Sequence, residues 1–322
     1  MHACLSLSLR RCQLAPVSLL AALFLLLAAC GGAGDSDPHT EAATPEVDPL
    51  PADPVALVTG STRGLGEEVA KRLGTMGYHV IVHGRSQERG MAVVSDIEAN
   101  GGSAEFRRAD FLQLSQVREL VKGVLADFDR LDLLVNNAGI GSPAEPIELT
   151  VDGVEPVFQV NYLAHFLLTD ELLPLLKAAT PSRIINVSSA AQTAIDFDDV
   201  MLQDWQPDDR EIGRPYAQSK LAQILHTYDL AEQLEGTGVT VNALHPATFM
   251  DTYMVRRAGI EPRTSVDEGA DRVMQLITED VGSGQYFRDG EPVRAHDQAY
   301  DENARRQLRE LSERLIRAEA EH

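Results

Sequence analysis

The chain has 322 residues, with 49 acidic against 28 basic side chains, a formal charge of −21, and 44% hydrophobic residues. That apolar share supports a packed core and argues against a disordered chain, while the acid excess leaves no basic surface to neutralise phosphates, so nucleic acid is not an expected partner. The three cysteines, Cys4, Cys12 and Cys30, all lie in the first tenth of the chain, so neither a disulfide framework nor a cysteine metal site is expected beyond them.

Arg10 and Arg11 are the only charges ahead of an uncharged run from Val17 to Ala29. These thirteen apolar or small residues are too few to cross a bilayer as a helix but suit the apolar core of a secretory signal. Leu27-Ala28-Ala29-Cys30 resembles the bacterial lipobox. The resemblance implies a signal peptide over 1–29, cleavage before Cys30, and a membrane attachment made only through lipid on its thiol, placing the protein in the cell envelope. A buried core helix, or a true start near Val47 or Val55 that leaves the protein cytoplasmic, are the alternatives. Arg10-Arg11 within "SLRRCQL" is a poor match to a twin-arginine export signal. Residues 31–54 hold six acids, no bases, five prolines and three glycines, so 30–54 reads as a solvated tether.

Residues 55–322 carry 43 acids and 26 bases and are long enough for one α/β domain. Short β-branched runs alternate with helical periods: "VALVT", then Glu67 to Met76; "YHVIV", then Gln87 to Ala99; "LDLLV", then a helical stretch toward Lys177; "RIINVS"; "GVTVNAL". This cadence predicts a Rossmann-like, doubly wound parallel sheet with helices on both faces, in a single domain. Its strands are apolar on both faces, as such a sheet requires. Leu308, Leu311 and Leu315 recur at helical spacing among charges, predicting a terminal helix docked by one stripe.

Gly60, Gly64 and Gly66 in "TGSTRGLG" close the first strand and open a helix with the stripe Val69, Leu73 and Met76. A sharp turn whose backbone approaches a pyrophosphate at a helix N-terminus needs glycine there. Further on come "NNAG" (136–139), Asn161 in "FQVNYLAHFLLT", "INVSS" ending at Ser189, and "YAQSK" from Tyr216 to Lys220. With these motifs in this order, residues 55–290 resemble the short-chain dehydrogenase/reductase family. The segment "RPYAQSKLAQILHTYDLAEQLEGTGVTVNALHP" is similar to its retinol dehydrogenase-like branch.

Tyr216 and Lys220 are four apart in a helical segment, so both project from one face. A free phenol titrates near 10, too high for ready proton exchange at neutral pH, and a neighbouring ammonium is expected to favour the phenolate. The resemblance implies that Tyr216 passes a proton to or from the substrate oxygen, Lys220 also holds the nicotinamide ribose, Ser189 polarises the carbonyl, and Asn161 positions a water in the relay. Ser188 is adjacent to Ser189, but the family pattern places the active hydroxyl second. It further implies a cofactor site of Gly60, Ser61, Arg63, Gly64, Leu65, Gly66, Asp110 beside the adenine, Asn137, Ala138 and Gly139 under the adenosine ribose, Tyr216, Lys220 and Thr248.

After "YHVIV" an NAD enzyme carries an acid for the ribose 2′-hydroxyl; this chain has His83, Gly84 and Arg85. Arg63 and Arg85 form a potential clamp for a 2′-phosphate, so NADP(H) is preferred over NAD(H). The segment "AAQTAIDFDDVMLQDWQPDDREIGRP" is long and contains the only tryptophan, Trp205, and reads either as a lid or binding element or as a solvated acidic insertion. In "HPATFMDTYMVRRAG", Ala247 departs from the family's glycine, while Met250, Tyr253 and Met254 suggest an adaptable apolar substrate wall beside Thr248 and Thr252. The nine histidines show no metal-binding spacing, so no metal is expected. The function expected is hydride transfer between NADP(H) and a small-molecule carbonyl or alcohol, with an apolar aldehyde or ketone as substrate. A non-catalytic dinucleotide-binding redox sensor is the alternative, and the family implies homo-oligomers.

Overall fold

The computed structural model describes residues 52–206 and 213–320. The leader with Cys30, and the tether as far as residue 51, lie outside the described residues. Eight strands form one sheet: β1 (Val55–Val58), β2 (His79–Gly84), β3 (Ser103–Arg108), β4 (Leu133–Asn136), β5 (Ser182–Val187), β6 (Val239–His245), β7 (Gln285–Arg288) and β8 (Glu291–Pro292). Their spatial order is β3-β2-β1-β4-β5-β6-β7-β8, parallel throughout except for β8, which runs antiparallel to β7.

Side chains alternate along each strand, so two apolar layers form. Ala56, Val58, Val80, Val82, Leu133 and Val135 face α1 (Gly64–Thr75), α2 (Gln87–Ala99) and α8 (Val266–Thr278). Val55, Leu57, Ile81, Leu134 and Ile184 face α3 (Leu114–Asp127), α5 (Ala164–Ala178), α6 (Arg214–Gln233) and α9 (Glu302–Ala320). The remaining short helices are α4 (Pro156–Phe158) and α7 (Tyr253–Arg257). α4 runs through a π-helical turn (Gln159–Leu163) into α5, making one continuous helix with Asn161 inside the turn. Such a turn widens the helix locally and re-aims its side chains.

The order reverses between β1 and β4, and the crevice at the carboxyl ends of those strands is where the fold binds ligands. The glycine turn leaves β1 on one side, and the loop carrying Asn137 to Gly139 leaves β4 on the other. α1 starts at Gly64 rather than Glu67, directly out of the turn. β2 runs two residues past "YHVIV", because His83 and Gly84 still pair with Arg107 and Arg108 of β3. The terminal helix docks as expected: Leu308 is buried, with Leu311 and Leu315 packed beside it.

Over its described part, the long segment before Tyr216 is docked against the domain and is not a solvated insertion. Ile195, Val200, Leu202 and Trp205 are buried. The Ile195 N–H donates to Gln298 Oε1 at 2.7 Å, and Gln298 Nε2 donates back to the Ile195 carbonyl at 2.9 Å. Gln218 Nε2 of α6 donates to the Val200 carbonyl at 2.9 Å. Four apolar side chains spaced among the acids explain the docking; residues 207–212 lie outside the described residues.

Candidate active site

Thr59, the last residue before the glycine turn, joins the two walls of the crevice. Its hydroxyl accepts the Asn137 N–H at 2.8 Å and the Ala138 N–H at 2.9 Å, and Asn137 Nδ2 donates to the Thr59 carbonyl at 2.8 Å. The walls are so close that a Cβ at Gly60 would lie 2.8 Å from Ala138 Cα, and one at Gly66 would lie 2.4 Å from Asn137 Nδ2. Gly60 also has φ +65°, a conformation that disfavours a side chain. Two of the three glycines are thus demanded by the protein's own packing. Ser61 is buried too: its hydroxyl donates to the Val58 carbonyl at 2.7 Å and accepts the His83 N–H at 2.9 Å, while its N–H donates to the His83 carbonyl. It shapes the turn and has no donor left for a phosphate. Leu65 is buried among α1's apolar contacts. What faces outward is the first turn of α1, whose N-cap residue, Arg63, makes no side-chain cap, so the helix's leading N–H groups have no side-chain acceptor from that residue.

The chemistry-bearing side chains meet at the carboxyl end of β5. Tyr216 lies near the start of α6, with its N–H donating to Ser142 Oγ at 3.2 Å. Burial pushes its phenol up, and a hydrogen bond with Ser189 opposes that rise. Lys220 is 4% exposed, and Nζ donates to the Val187 carbonyl at 2.8 Å and to Gln223 Oε1 at 2.9 Å. An ammonium has three donors, so one remains. Burial lowers Lys220 to about 7, and Nζ stands 5.6 Å from the centre of the Tyr216 ring. The contact that lowers the phenol is its hydrogen bond with Ser189, while burial holds the lysine well below its usual value.

Ser189 is buried; its Oγ accepts the Ala191 N–H at 3.1 Å, and its hydroxyl also hydrogen-bonds the Tyr216 side chain. Ser188 Oγ instead donates to the Lys220 carbonyl at 2.7 Å. Asn161 clamps the crevice to α6: Oδ1 accepts the Ile140 N–H at 2.8 Å, and Nδ2 donates to the Ile140 carbonyl at 3.0 Å and to Ser219 Oγ at 2.9 Å. Gly139 passes under this side chain, where a Cβ would stand 3.3 Å from Oδ1.

At the far end of the crevice Arg63, Arg85 and Asp110 gather. Arg85 Nη1 is 3.8 Å from Asp110 Oδ2. Arg89 and Arg257 approach as well, and burial together with these three arginines holds the Arg63 guanidinium below its usual value. Thr248 is exposed, with Oγ1 2.9 Å from His245 Nε2.

Several contributors escape the sequence reading. Arg89 lies one helical turn beyond Arg85, a spacing that was visible. His165 lies four residues after Asn161, also visible as a shared face; its Nδ1 is 2.9 Å from the Asn161 carbonyl and its Nε2 2.9 Å from Thr59 Oγ1. Burial lowers this imidazole to about 3, so it stays neutral: Nδ1–H donates to Asn161 and Nε2 accepts from Thr59. Tyr286 of β7, whose hydroxyl donates to the Ser189 carbonyl at 2.9 Å, gave no local signal. Among the described residues no cluster suited to a metal ion occurs.

A family model described as short chain dehydrogenase matches residues 54–197. Human retinol dehydrogenase 13 is 36% identical over 304 residues, covering 87% of this chain and 89% of the relative. Among solved structures, a protein from Mycobacterium Paratuberculosis superposes with a TM-score of 0.69 at 31% identity, covering 84% of this chain and 95% of that one. A short chain dehydrogenase from Escherichia coli CFT073 complexed with NADPH gives 0.62 at 26% identity, covering 77% and 100%.

Proposed function

The chain belongs to the short-chain dehydrogenase family of oxidoreductases, and from that premise we propose that it moves hydride between NADP(H) and an apolar aldehyde or ketone, or the corresponding alcohol. The observation that carries the reading is the convergence of Tyr216, Ser189 and Lys220 around one carboxyl strand end, with Asn161 clamped beside them. The tight turn, the uncapped start of α1 and the arginine group fit a phosphorylated dinucleotide. When bound, the nicotinamide supplies or accepts the hydride.

The chain's own residues handle the oxygen and its proton. Ser189 Oγ turns its proton from Tyr216 to the substrate oxygen and polarises the carbonyl. Tyr216 delivers its phenolic proton to that oxygen as charge develops, after which the Ser189 hydroxyl returns to the phenolate and lowers its cost. Lys220 offers its remaining N–H to a ribose hydroxyl; an anion formed on Tyr216 draws its titration upward, so it becomes charged when that charge is needed. The Asn161 carbonyl, already accepting from His165, keeps a second lone pair for a relay water. The long apolar substrate class is supported by the retinol dehydrogenase relative and by Met254 beside the loop that follows β4; Met250 instead packs against Gly269 of α8.

The test is turnover of a panel of aliphatic and polyene aldehydes, followed as loss of reduced cofactor. Tyr216→Phe is expected to cut kcat at least a hundredfold, on the scale of general acid catalysis, with cofactor affinity intact. Near-normal turnover by that variant would falsify the assignment. Arg63→Ala with Arg85→Ala is expected to weaken NADPH far more than NADH.

For the rest of the chain the reading is a lipoprotein leader over 1–29, lipid on Cys30 and a tether over 30–54, with the enzyme domain beyond. Among the described residues no helix is long and apolar enough to cross a membrane. Membrane fractionation with N-terminal mass measurement tests this: diacylated Cys30, lost on Cys30→Ala, is expected, and a soluble product beginning near Val55 overturns it.

A further inference from the structure

Tyr253, at the start of α7, belongs by sequence to the apolar substrate wall. Its ring instead lies against the glycine turn, with the Arg63 guanidinium carbon 4.0 Å from the ring centre. The same short helix touches both walls of the crevice. A Cβ at Gly64 would lie 3.5 Å from Thr252 Cγ2, and one at Gly141, in the loop after β4, would lie 3.8 Å from Met254 Cγ. α7 is therefore a roof spanning from the phosphate end toward the substrate side, and Tyr253 is its contact with Arg63.

A guanidinium stacked on a ring uses its face for the ring and keeps its N–H groups in its own plane for an oxyanion. The stack is useful here because Arg63 is crowded by like charge. Arg85, Arg89 and Arg257 lie near enough to lower its pKa, and among the described residues only Asp110, 3.8 Å from Arg85, stands within ion-pair distance of any of the four. Mutual repulsion favours splaying these long side chains into solvent. An aromatic face opposes that for Arg63, and Arg257 arrives on the same helix as Tyr253.

We propose that Tyr253 is a specificity-determining residue for NADP(H): it holds Arg63 within the four-arginine group that reads the 2′-phosphate, and that phosphate in turn fastens α7 over the crevice. The inference rests on the NADP(H) reading above and adds a link between the phosphate end of the cofactor and the segment bearing Met250 and Met254. Selectivity for the phosphate and ordering of the substrate wall become one event. Tyr253 acts through Arg63 and is a positioning residue.

The experiment uses the full chain and two probes that lack nicotinamide, adenosine 2′,5′-bisphosphate and adenosine 5′-monophosphate, with binding measured by calorimetry alongside NADPH and NADH. Tyr253 is half exposed, so its replacement leaves the core untouched. Tyr253→Leu is expected to weaken the bisphosphate and NADPH about tenfold, the scale of a partly desolvated cation–ring contact, and to leave the monophosphate and NADH unchanged. Tyr253→Phe, which keeps the ring face, is expected to restore wild-type selectivity. Trypsin supplies the second readout: cleavage after Arg256 and Arg257 is expected to slow with the bisphosphate but not the monophosphate, and that protection is expected to vanish in Tyr253→Leu. Equal weakening of all four ligands, or none, overturns the proposal while leaving the cofactor reading intact. A wild-type chain that binds NADH as tightly as NADPH overturns both.

Discussion

At the residue scale, the adjacent hydroxyls of Ser188 and Ser189 are separated by what each already does. Ser188 donates its proton to the Lys220 carbonyl inside α6, whereas Ser189 accepts from Ala191 and hydrogen-bonds the Tyr216 side chain. Ser188→Ala removes a buried hydrogen bond to a helix carbonyl, a loss of about 1 kcal/mol in stability with turnover largely kept. Ser189→Ala removes the donor aimed at the substrate oxygen and the group that restrains the Tyr216 phenol. Its kcat is expected to fall on the order of a hundredfold, and the alkaline limb of the rate profile, set by Tyr216, is expected to move upward. Thermal melts and pH–rate profiles of the two variants check this; the reverse pattern would assign the active hydroxyl to Ser188.

At the scale of elements, Glu155 links the start of α4 to the position of Asn161. It is fully buried, and its carboxylate caps the helix by accepting the Val157 N–H at 2.9 Å and the Phe158 N–H at 2.5 Å, while its own N–H faces Met201 Sδ in the docked segment. Burial outweighs these bonds and raises the carboxyl to about 7 from 4.5. The folded state therefore keeps a proton that the unfolded chain has released above its ordinary pKa. Stability contributed by Glu155 is complete below that value and is lost as pH rises through about 7, by on the order of 3 kcal/mol. Lys220 works in the opposite sense: lowered to about 7, it makes the folded state gain stability as pH climbs above that value. Subtracting a Glu155→Gln variant from the wild type cancels the lysine. Urea unfolding at about pH 5 and about pH 8 is expected to show the wild type losing more stability than the variant over that interval; parallel curves would mean that Glu155 remains ionised throughout. The same stretch shows where the sequence was readable and where it was not. α2 was expected over Gln87–Ala99 and lies there, because a helical period and the Ser86 cap agree. The π-helical turn around Asn161 has no signature in hydrophobic spacing. β3, "SAEFRR", is an edge strand with one large apolar side chain, so alternation is nearly invisible. Tyr216 and Lys220 were legible because they share one helix, whereas Tyr286 and Arg257 reach the site only through the folding of distant segments.

At the scale of the whole molecule, α9 closes the layer on which α5 and α6 lie. The protein is strongly acidic and so repels itself, and α9 answers by bringing arginines against acids of α6: Arg305 to Glu232 at 2.7 Å and Arg309 to Asp229 at 2.7 Å. Arg118 of α3 clasps its other end through Glu319 at 2.7 Å. Each pair has one largely buried member, and the docking also draws on Leu308, with Leu311, Leu315 and Ile316 packed beside it. Beneath the helix lies Tyr162, fully buried, next in sequence to Asn161, with its hydroxyl 2.7 Å from Ser312 Oγ. Ending the chain before Glu302 strips several apolar side chains from their cover, at roughly 1.5–3 kcal/mol for each one fully buried. That approaches the whole stability of an ordinary domain, and the truncated chain is expected to be aggregation-prone. Ser312→Ala is the milder probe, since Ser312 touches no substrate or cofactor: it leaves a buried phenol without its partner, at about 1–3 kcal/mol. If α9 also steadies the turn that carries Asn161, Ser312→Ala is expected to lower kcat measurably below its melting temperature. Adding back the lost hydrogen bond with Ser312→Thr is expected to recover it. A variant that melts earlier yet turns over normally would restrict α9 to a purely structural role.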